Sequence, residues 1–234
     1  MNAPRVDLLF VGSSGLIGRL ALLRLLEHAI GSTRRVFTPV RRASGLTHPN
    51  LIEIVDGADA SERDTEIDAS LHAHDAAIGS FLCAIGSTLA QAGSQEAFAA
   101  IDRDLVLHMA ALALRHGAER AVVVSSIGAD ASTRNFYLRT KGRMERDLGA
   151  LGFRRCDFLQ PSLLMGAREG TDRGGEQFAQ KIAPIANNLL IGPLRRYRAI
   201  PAQAVADAMA KLADAVGTGV HRHDHDQIQA LASA

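Results

Sequence analysis

Tyr137 and Lys141 stand four residues apart in NFYLRTKGRMERD, a spacing that puts both on one face of a helix. A free phenol, with a pKa of about 10, is a poor base at neutral pH. A cation beside it favours the phenolate, so the pair is suited to moving a proton on and off a carbinol oxygen. Lys141, with three N–H donors, can also hold a hydroxyl-bearing group such as a ribose. A hydroxyl to polarise the same substrate oxygen is expected at a strand end, where Ser125 and Ser126 follow AVVV. Alternation along a strand turns the two serines to opposite faces. Ser126 is the favoured catalytic hydroxyl, with Ser125 as its alternative and as a cofactor contact.

A second set of residues is built for a phosphate. In FVGSSGLIGR, Gly12, Gly15 and Gly18 fall between an apolar run and a pattern of helical period. The first N–H groups of a helix lack intrahelical acceptors, and the helix dipole favours negative charge there. Glycine turns the chain tightly and leaves no Cβ in the way of a diphosphate. Gly12, Ser13, Ser14, Gly15, Leu16, Ile17 and Gly18 are therefore the candidate diphosphate residues. A lone glycine pattern is a weak signal; its place between the first strand and the first helix makes this one informative. NAD sites usually carry an acidic residue about twenty positions further on, for the ribose 2′-hydroxyl. Here the segment reads PVRRAS, and the guanidinium groups of Arg41 and Arg42 suit the additional phosphate of NADP. The expected cofactor is NADP(H).

The elements that must position these groups alternate along the chain. VDLLFVG (6–12), RRVFTPV (34–40), NLIEIVD (50–56), AAIGSFLCAIG (76–86), AVVVSS (121–126) and RCDFLQP (155–161) read as strands. Pro39 predicts an edge or an irregular position in the second of them. Helices are expected after the first glycine turn, over 59–72, over 95–116 as one long rod closed by Gly117, over 137–151 ending at Gly152, and over 203–216. Repeated βα units predict an α/β fold, a doubly wound parallel sheet of Rossmann type with a small C-terminal elaboration. No internal repeat or linker marks a second unit. Residues 1–234 read as one NAD(P)-binding domain, with 162–234 contributing the substrate side.

The bulk numbers narrow the class. The 234 residues and 47% hydrophobic content suffice for a sizeable core. A net charge of +1 gives no field to gather nucleic acid or anionic lipid. The longest uncharged stretch, 76–95, is broken by glycine, serine, threonine and glutamine, and reads as a strand and a polar loop, with no membrane span expected. Two cysteines, Cys83 and Cys156, and no visible secretory signal point to a reducing compartment and a cytoplasmic location.

Taken together the motifs are specific. FVGSSGLIGR, VRR, AIDRDLVLHMAALALRHGAERAVVVSSIGAD, YLRTKGRME, a DRGGE loop and YRAIPAQAVADAM occur in the order of the short-chain dehydrogenase/reductase superfamily. The chain resembles its atypical branch, which holds NmrA-like proteins, and within it the Tat-interacting-protein oxidoreductases. The resemblance implies hydride transfer between nicotinamide and a carbonyl or alcohol. It further implies that Asp56 lies near the adenine, that Cys83, Ala84, Ile85 and Gly86 pass under the adenosine ribose, and that Pro161, Ser162, Leu163 and Leu164 flank the nicotinamide. Asp102 falls where many relatives carry an asparagine, and Val11 where many carry a threonine.

Two other classes compete. One is a non-catalytic NADP-binding redox sensor acting through a protein partner, which would need neither serine, tyrosine nor lysine. The other is a nucleotide-sugar epimerase or dehydratase, which needs more chain after Pro161. The expected partner is a small carbonyl or alcohol substrate, with no nucleic acid and no membrane, in a monomer or homodimer. HRHDHD (221–226) sets His221, His223 and His225 on one side if extended, yet no metal is expected there. Arg195, Arg196 and Arg198 read as a solvated loop.

Overall fold

The computed structural model describes residues 6–29, 34–55, 60–165 and 196–233. Asp56 and the DRGGE loop lie outside the described residues. In chain order the elements are β1 (Asp7–Val11), α1 (Leu16–His28), β2 (Val36–Val40), β3 (Leu51–Val55), α2 (Ala60–Ala73) and β4 (Ile78–Cys83). Next come α3 (Leu89–Ala92), α4 (Gln95–Ala99), a π-helical turn (Ala100–Leu105), α5 (Val106–Arg115), β5 (Arg120–Val124), α6 (Phe136–Gly149) and β6 (Arg155–Leu159). The described chain closes with β7 (Leu164–Met165), β8 (Ile200–Pro201), α7 (Ala202–Leu212), β9 (Gly219–His223) and α8 (His225–Ser233).

Seven of these strands form one parallel sheet in the order β3-β2-β1-β4-β5-β6-β9. The chain leaves β1 in one direction through β2 and β3, then returns to β4 and continues the other way. The crevice between β1 and β4 is therefore the switch point at which ligands of such sheets bind. The strands read as near-continuous apolar runs because helices cover both faces. Leu8 and Phe10 pack into one core with Ile17, Leu22, Val205 and Met209 of α1 and α7. Leu9 and Val11 point the other way, into a core with Ile67, Met109, Leu112, Met144 and Leu148 of α2, α5 and α6. Full burial of each such side chain contributes roughly 1.5–3 kcal/mol.

The doubly wound expectation holds. Of the two positions Pro39 allows, the irregular one is found and not the edge, because β2 lies between β1 and β3. β2 pairs with β1 only at Leu8↔Val36 and Leu9↔Phe37, so Pro39 sits beyond that pairing while still in register with Ile54 of β3. The rod expected over 95–116 is interrupted by the π-helical turn, a feature that hydrophobic period does not reveal. Asp102, fully buried, is carried by that turn. β9 then supplies a seventh strand at the edge, pairing with β6 from Arg155↔Gly219 to Leu159↔His223.

Candidate functional site

The glycine turn is compressed against its neighbours. Gly12 adopts φ +79°, and a Cβ there would lie 2.6 Å from the Ile85 nitrogen at the end of β4. A Cβ on Gly18 would come within 1.9 Å of the Gly12 carbonyl oxygen, so α1 packs on the turn at backbone distance. Gly15 differs: it is exposed, and its Cβ would meet nothing nearer than 3.5 Å. Gly15 is also the N-cap of α1, with no side-chain hydrogen bond to the first turn and no acidic residue in it. The N-terminal amides of α1 are thus left for an anion, and the residues fit a diphosphate on the open side of Gly15. Ser13 is buried and accepts a 2.6 Å hydrogen bond from Thr38, which ties the turn to β2, while Ser14 is exposed. Leu16 and Ile17 open the helix, Ile17 in the core.

Arg41 and Arg42 follow β2 and are both exposed. The next stretch folds back on β3, where the Ser44 amide donates to the Glu53 carboxylate at 3.0 Å. At the end of β4 the Cys83 thiol is buried, and burial pushes it up to about 12 against the opposing pull of the Ile85 amide and Lys141. It is a packed side chain with no thiolate character near neutral pH. The Ala84 amide donates to the Val11 carbonyl at 2.9 Å, so the ends of β1 and β4 are joined directly beneath the crevice.

On the other side of the crevice, α6 is started by Asn135, whose side chain accepts from the Leu138 amide at 3.0 Å. Tyr137 is partly buried, with its ring 5.4 Å from that of Phe98. Lys141, one turn on, is only 3% exposed, and its Nζ lies 2.7 Å from Oδ1 of Asp102. The other carboxylate oxygen accepts from both the amide (3.0 Å) and the hydroxyl (2.6 Å) of Ser87. A Cβ built on Gly86, itself exposed, would stand 4.0 Å from both Lys141 Nζ and Asp102 Oδ1. The lysine therefore reaches under the segment that abuts the glycine turn. Nothing in the composition points to this Asp102–Lys141 pair; only the π-helical turn turns Asp102 inward, as such insertions often do at functional positions.

The two serines are separated as alternation requires. Ser125 is buried and donates to Oε1 of Glu145 at 2.6 Å. Ser126 is partly exposed, and among the described residues its hydroxyl makes only a long 3.5 Å contact, to the carbonyl of its neighbour Ile127. After β6, Pro161 is buried, Ser162 donates to the Arg198 carbonyl, Leu163 is 56% exposed, and Leu164 begins β7 beside Ile200. The three histidines of the C-terminal tract have separate partners: His221 the Thr218 carbonyl, His223 Asp157, and His225 Asp226. Among the described residues no group of three or more histidine, cysteine or acidic side chains is arranged to hold a metal ion. Nor, among them, is any helix long and apolar enough to cross a membrane.

No family model matches the chain. Among solved structures it resembles MoeE5 in complex with UDP-glucose and NAD, with a TM-score of 0.63 and 15% identity over 97% of this chain and 81% of that one. It also resembles a short-chain dehydrogenase family protein from Francisella tularensis, with a TM-score of 0.62 and 15% identity over 93% and 96%. At such identity the likeness establishes the fold alone, a Rossmann-like α/β sheet. Curated relatives are nearer in sequence. Protein FMP52-1, mitochondrial, of Scheffersomyces stipitis is 33% identical over 191 residues, 82% of this chain and 76% of the relative. Protein FMP52, mitochondrial, of Debaryomyces hansenii is 31% identical over 210 residues, 87% and 84% respectively. These names correct the cytoplasmic expectation: it rested on a missing secretory signal and few cysteines, which do not separate cytosol from other reducing compartments. The extent and level of identity show that the chain belongs to the FMP52 family.

Proposed function

We propose that the protein is an NADP(H)-dependent oxidoreductase, transferring hydride between nicotinamide and a small carbonyl compound or the corresponding alcohol. The proposed reaction is that of the atypical short-chain dehydrogenases of the Tat-interacting and NmrA-like branch, which the motifs resemble. The observation that carries the reading is the meeting of two devices. Lys141, from the helix that bears Tyr137, extends to within 4.0 Å of a Cβ position on Gly86, and the preceding Ile85 abuts Gly12 of the uncapped glycine turn. A cofactor anchored at the turn would have its reactive end beside the phenol.

When bound, the cofactor supplies or accepts the hydride. In the reducing direction Tyr137 donates its phenolic proton to the substrate oxygen as the carbon gains hydride, and the phenolate regains a proton from water. In the oxidising direction the same phenol oxygen removes the carbinol proton. Lys141 holds positive charge beside this exchange and would hold the ribose, while Ser126, whose hydroxyl makes only a long 3.5 Å contact among the described residues, donates to the substrate oxygen. Arg41 and Arg42 would hold the 2′-phosphate of NADP. The segment 162–234 forms the substrate side of a single domain. Tyr137→Phe removes the proton donor alone, so it should abolish NADPH consumption in a screen of aldehydes, ketones and quinones while cofactor affinity stays unchanged. Retention of wild-type turnover by this variant would refute the assignment.

A further inference from the structure

Helix α6 carries a third polar residue on the same face, at the next turn after Lys141. Glu145 is 1% exposed, and its carboxylate gathers donors from three strand ends. Oε1 accepts from the Ser125 hydroxyl (2.6 Å), just past β5, and from the Gln160 amide (2.8 Å), just past β6. Oε2 accepts from Arg222 Nε of β9 at 2.7 Å. The Arg222 side chain is half-exposed and lies over the Phe158 ring, its guanidinium carbon 5.7 Å from the ring centre. A buried carboxylate with every near donor so arranged is expensive to build, and an apolar residue would fill the space at less cost.

What these contacts hold still is the segment that begins with Ser126. The Ile127 amide donates to the Pro161 carbonyl at 3.0 Å, so the loops after β5 and β6 are tied to each other. Further along, the Asp130 amide donates to the Leu138 carbonyl at 3.2 Å. A Cβ on Gly142 of α6 would collide with the Asp130 and Ala131 backbone at 2.2–2.3 Å. The far end of the loop is thus pressed on α6, and Glu145 anchors its near end.

We infer that Glu145 is a positioning residue: through Ser125, Gln160 and Arg222 it sets the Ser126 hydroxyl against Tyr137 on the same helix. The inference deepens the proposed reaction and rests on it for its kinetic readout. It also assigns the last strand a task in the site, since Arg222 neutralises the carboxylate that orders the serine loop.

The test compares Glu145→Gln, Ser125→Ala and Arg222→Met with Arg222→Lys as the conservative rescue, and His221→Ala on the same strand as a control. Misplacing a catalytic group by about 1 Å costs on the order of a hundredfold in rate. Glu145→Gln and Arg222→Met should therefore lower kcat by roughly ten- to a hundredfold with NADPH affinity unchanged, and Arg222→Lys should recover most of it. In parallel, without cofactor, amide exchange at Ser126 and Ile127 should rise by about tenfold in the first three variants and stay at the wild-type rate in the control. Unchanged exchange in folded Arg222→Met, or a loss confined to cofactor affinity, would overturn the inference. A wild-type protein that binds NADPH without turnover would instead overturn the proposed reaction, and the exchange rates would still decide the role of Glu145.

Discussion

Lys141→Met isolates the buried ion pair beneath the crevice. Lys141 is 3% and Asp102 0% exposed, and their charged atoms are 2.7 Å apart. At an effective dielectric of 20 that separation corresponds to roughly 6 kcal/mol of attraction, which desolvation of both ions largely offsets. The pair as a whole is therefore worth little against an apolar substitute, whereas removing one partner strands the other. After Lys141→Met, Oδ2 of Asp102 keeps its two donors from Ser87, but Oδ1 has no other hydrogen-bond partner among the described residues. The expected loss is about 3–5 kcal/mol, a large part of the 5–15 kcal/mol typical of a folded domain. Asp102→Leu alone should cost less, because the lysine can extend past Gly86 towards solvent. The double variant should return to within about 2 kcal/mol of wild type, giving strong non-additivity in a mutant cycle. Urea denaturation followed by circular dichroism measures all four proteins. If the two single losses simply add, the pair is not coupled and the account of the site's core is wrong. The double variant carries a second consequence: it should fold well and show no turnover, which separates what stabilises the helix from what performs the chemistry.

Three other expectations test the remaining parts. Gly18→Ala forces a Cβ to 1.9 Å from the Gly12 oxygen and should lower both stability and NADPH affinity, whereas Gly15→Ala meets only ordinary contacts and should bind NADPH poorly at near-wild-type stability; isothermal titration and melting temperatures check both. Replacing exposed Arg41 and Arg42 with alanine should erase a preference for NADPH over NADH by about 1.5–3 kcal/mol per lost charged hydrogen bond, measured as the ratio of the two dissociation constants. For Asp157, burial pushes the carboxyl up, but hydrogen bonds from His223 and Arg155 and their charge hold it below the usual range. A depressed native value stabilises the fold above the unfolded value of about 3.9, and that contribution disappears as pH falls through the native one. Urea midpoints should thus fall below about pH 4 in the wild type and less steeply in Asp157→Asn.

What could be read from the residues divides along a physical line. Short-range patterns were legible: the glycine turn, because a tight turn and a close helix need residues without Cβ at Gly12 and Gly18, and the strands, because two-sided burial leaves unbroken apolar runs such as LLFV and AVVV. Alternation likewise separated Ser125 from Ser126, and the structure shows where each hydroxyl goes. Pairings between distant segments were not legible. The resemblance marks Asp102 by its position, but its pairing with Lys141 emerges only where a π-helical turn rotates it inward. Glu145 lies in RMERD, where its neighbours Arg143 and Arg146 suggest a solvated face, yet it is buried on the side opposite them. Pro39 proves to be the irregular position and not the edge: the rule against proline in a central strand assumes pairing on both sides for its whole length, and β2 has no register partner in β1 there. In HRHDHD the alternation that lines up His221 and His223 is that of an edge strand, whose side chains find separate acceptors.

The inner face of α6 therefore presents a phenol, an ammonium and a carboxylate on successive turns, in a position where leucines would pack as stably. Each charge is answered by a different element, Lys141 by the π-helical turn and Glu145 by three strand ends, so the helix cannot rotate or slide without breaking both sets at once. An apolar face would tolerate such a shift, since methyl groups repack with small loss. The buried charges thus supply orientation where apolar packing would supply only affinity between layers. It follows that selection for folding alone should tolerate apolar residues at Asp102 and Lys141 only when both change together, and that the paired change should cost activity. A selection that enriched apolar residues at these positions while retaining NADPH turnover would contradict this account of why the helix carries them.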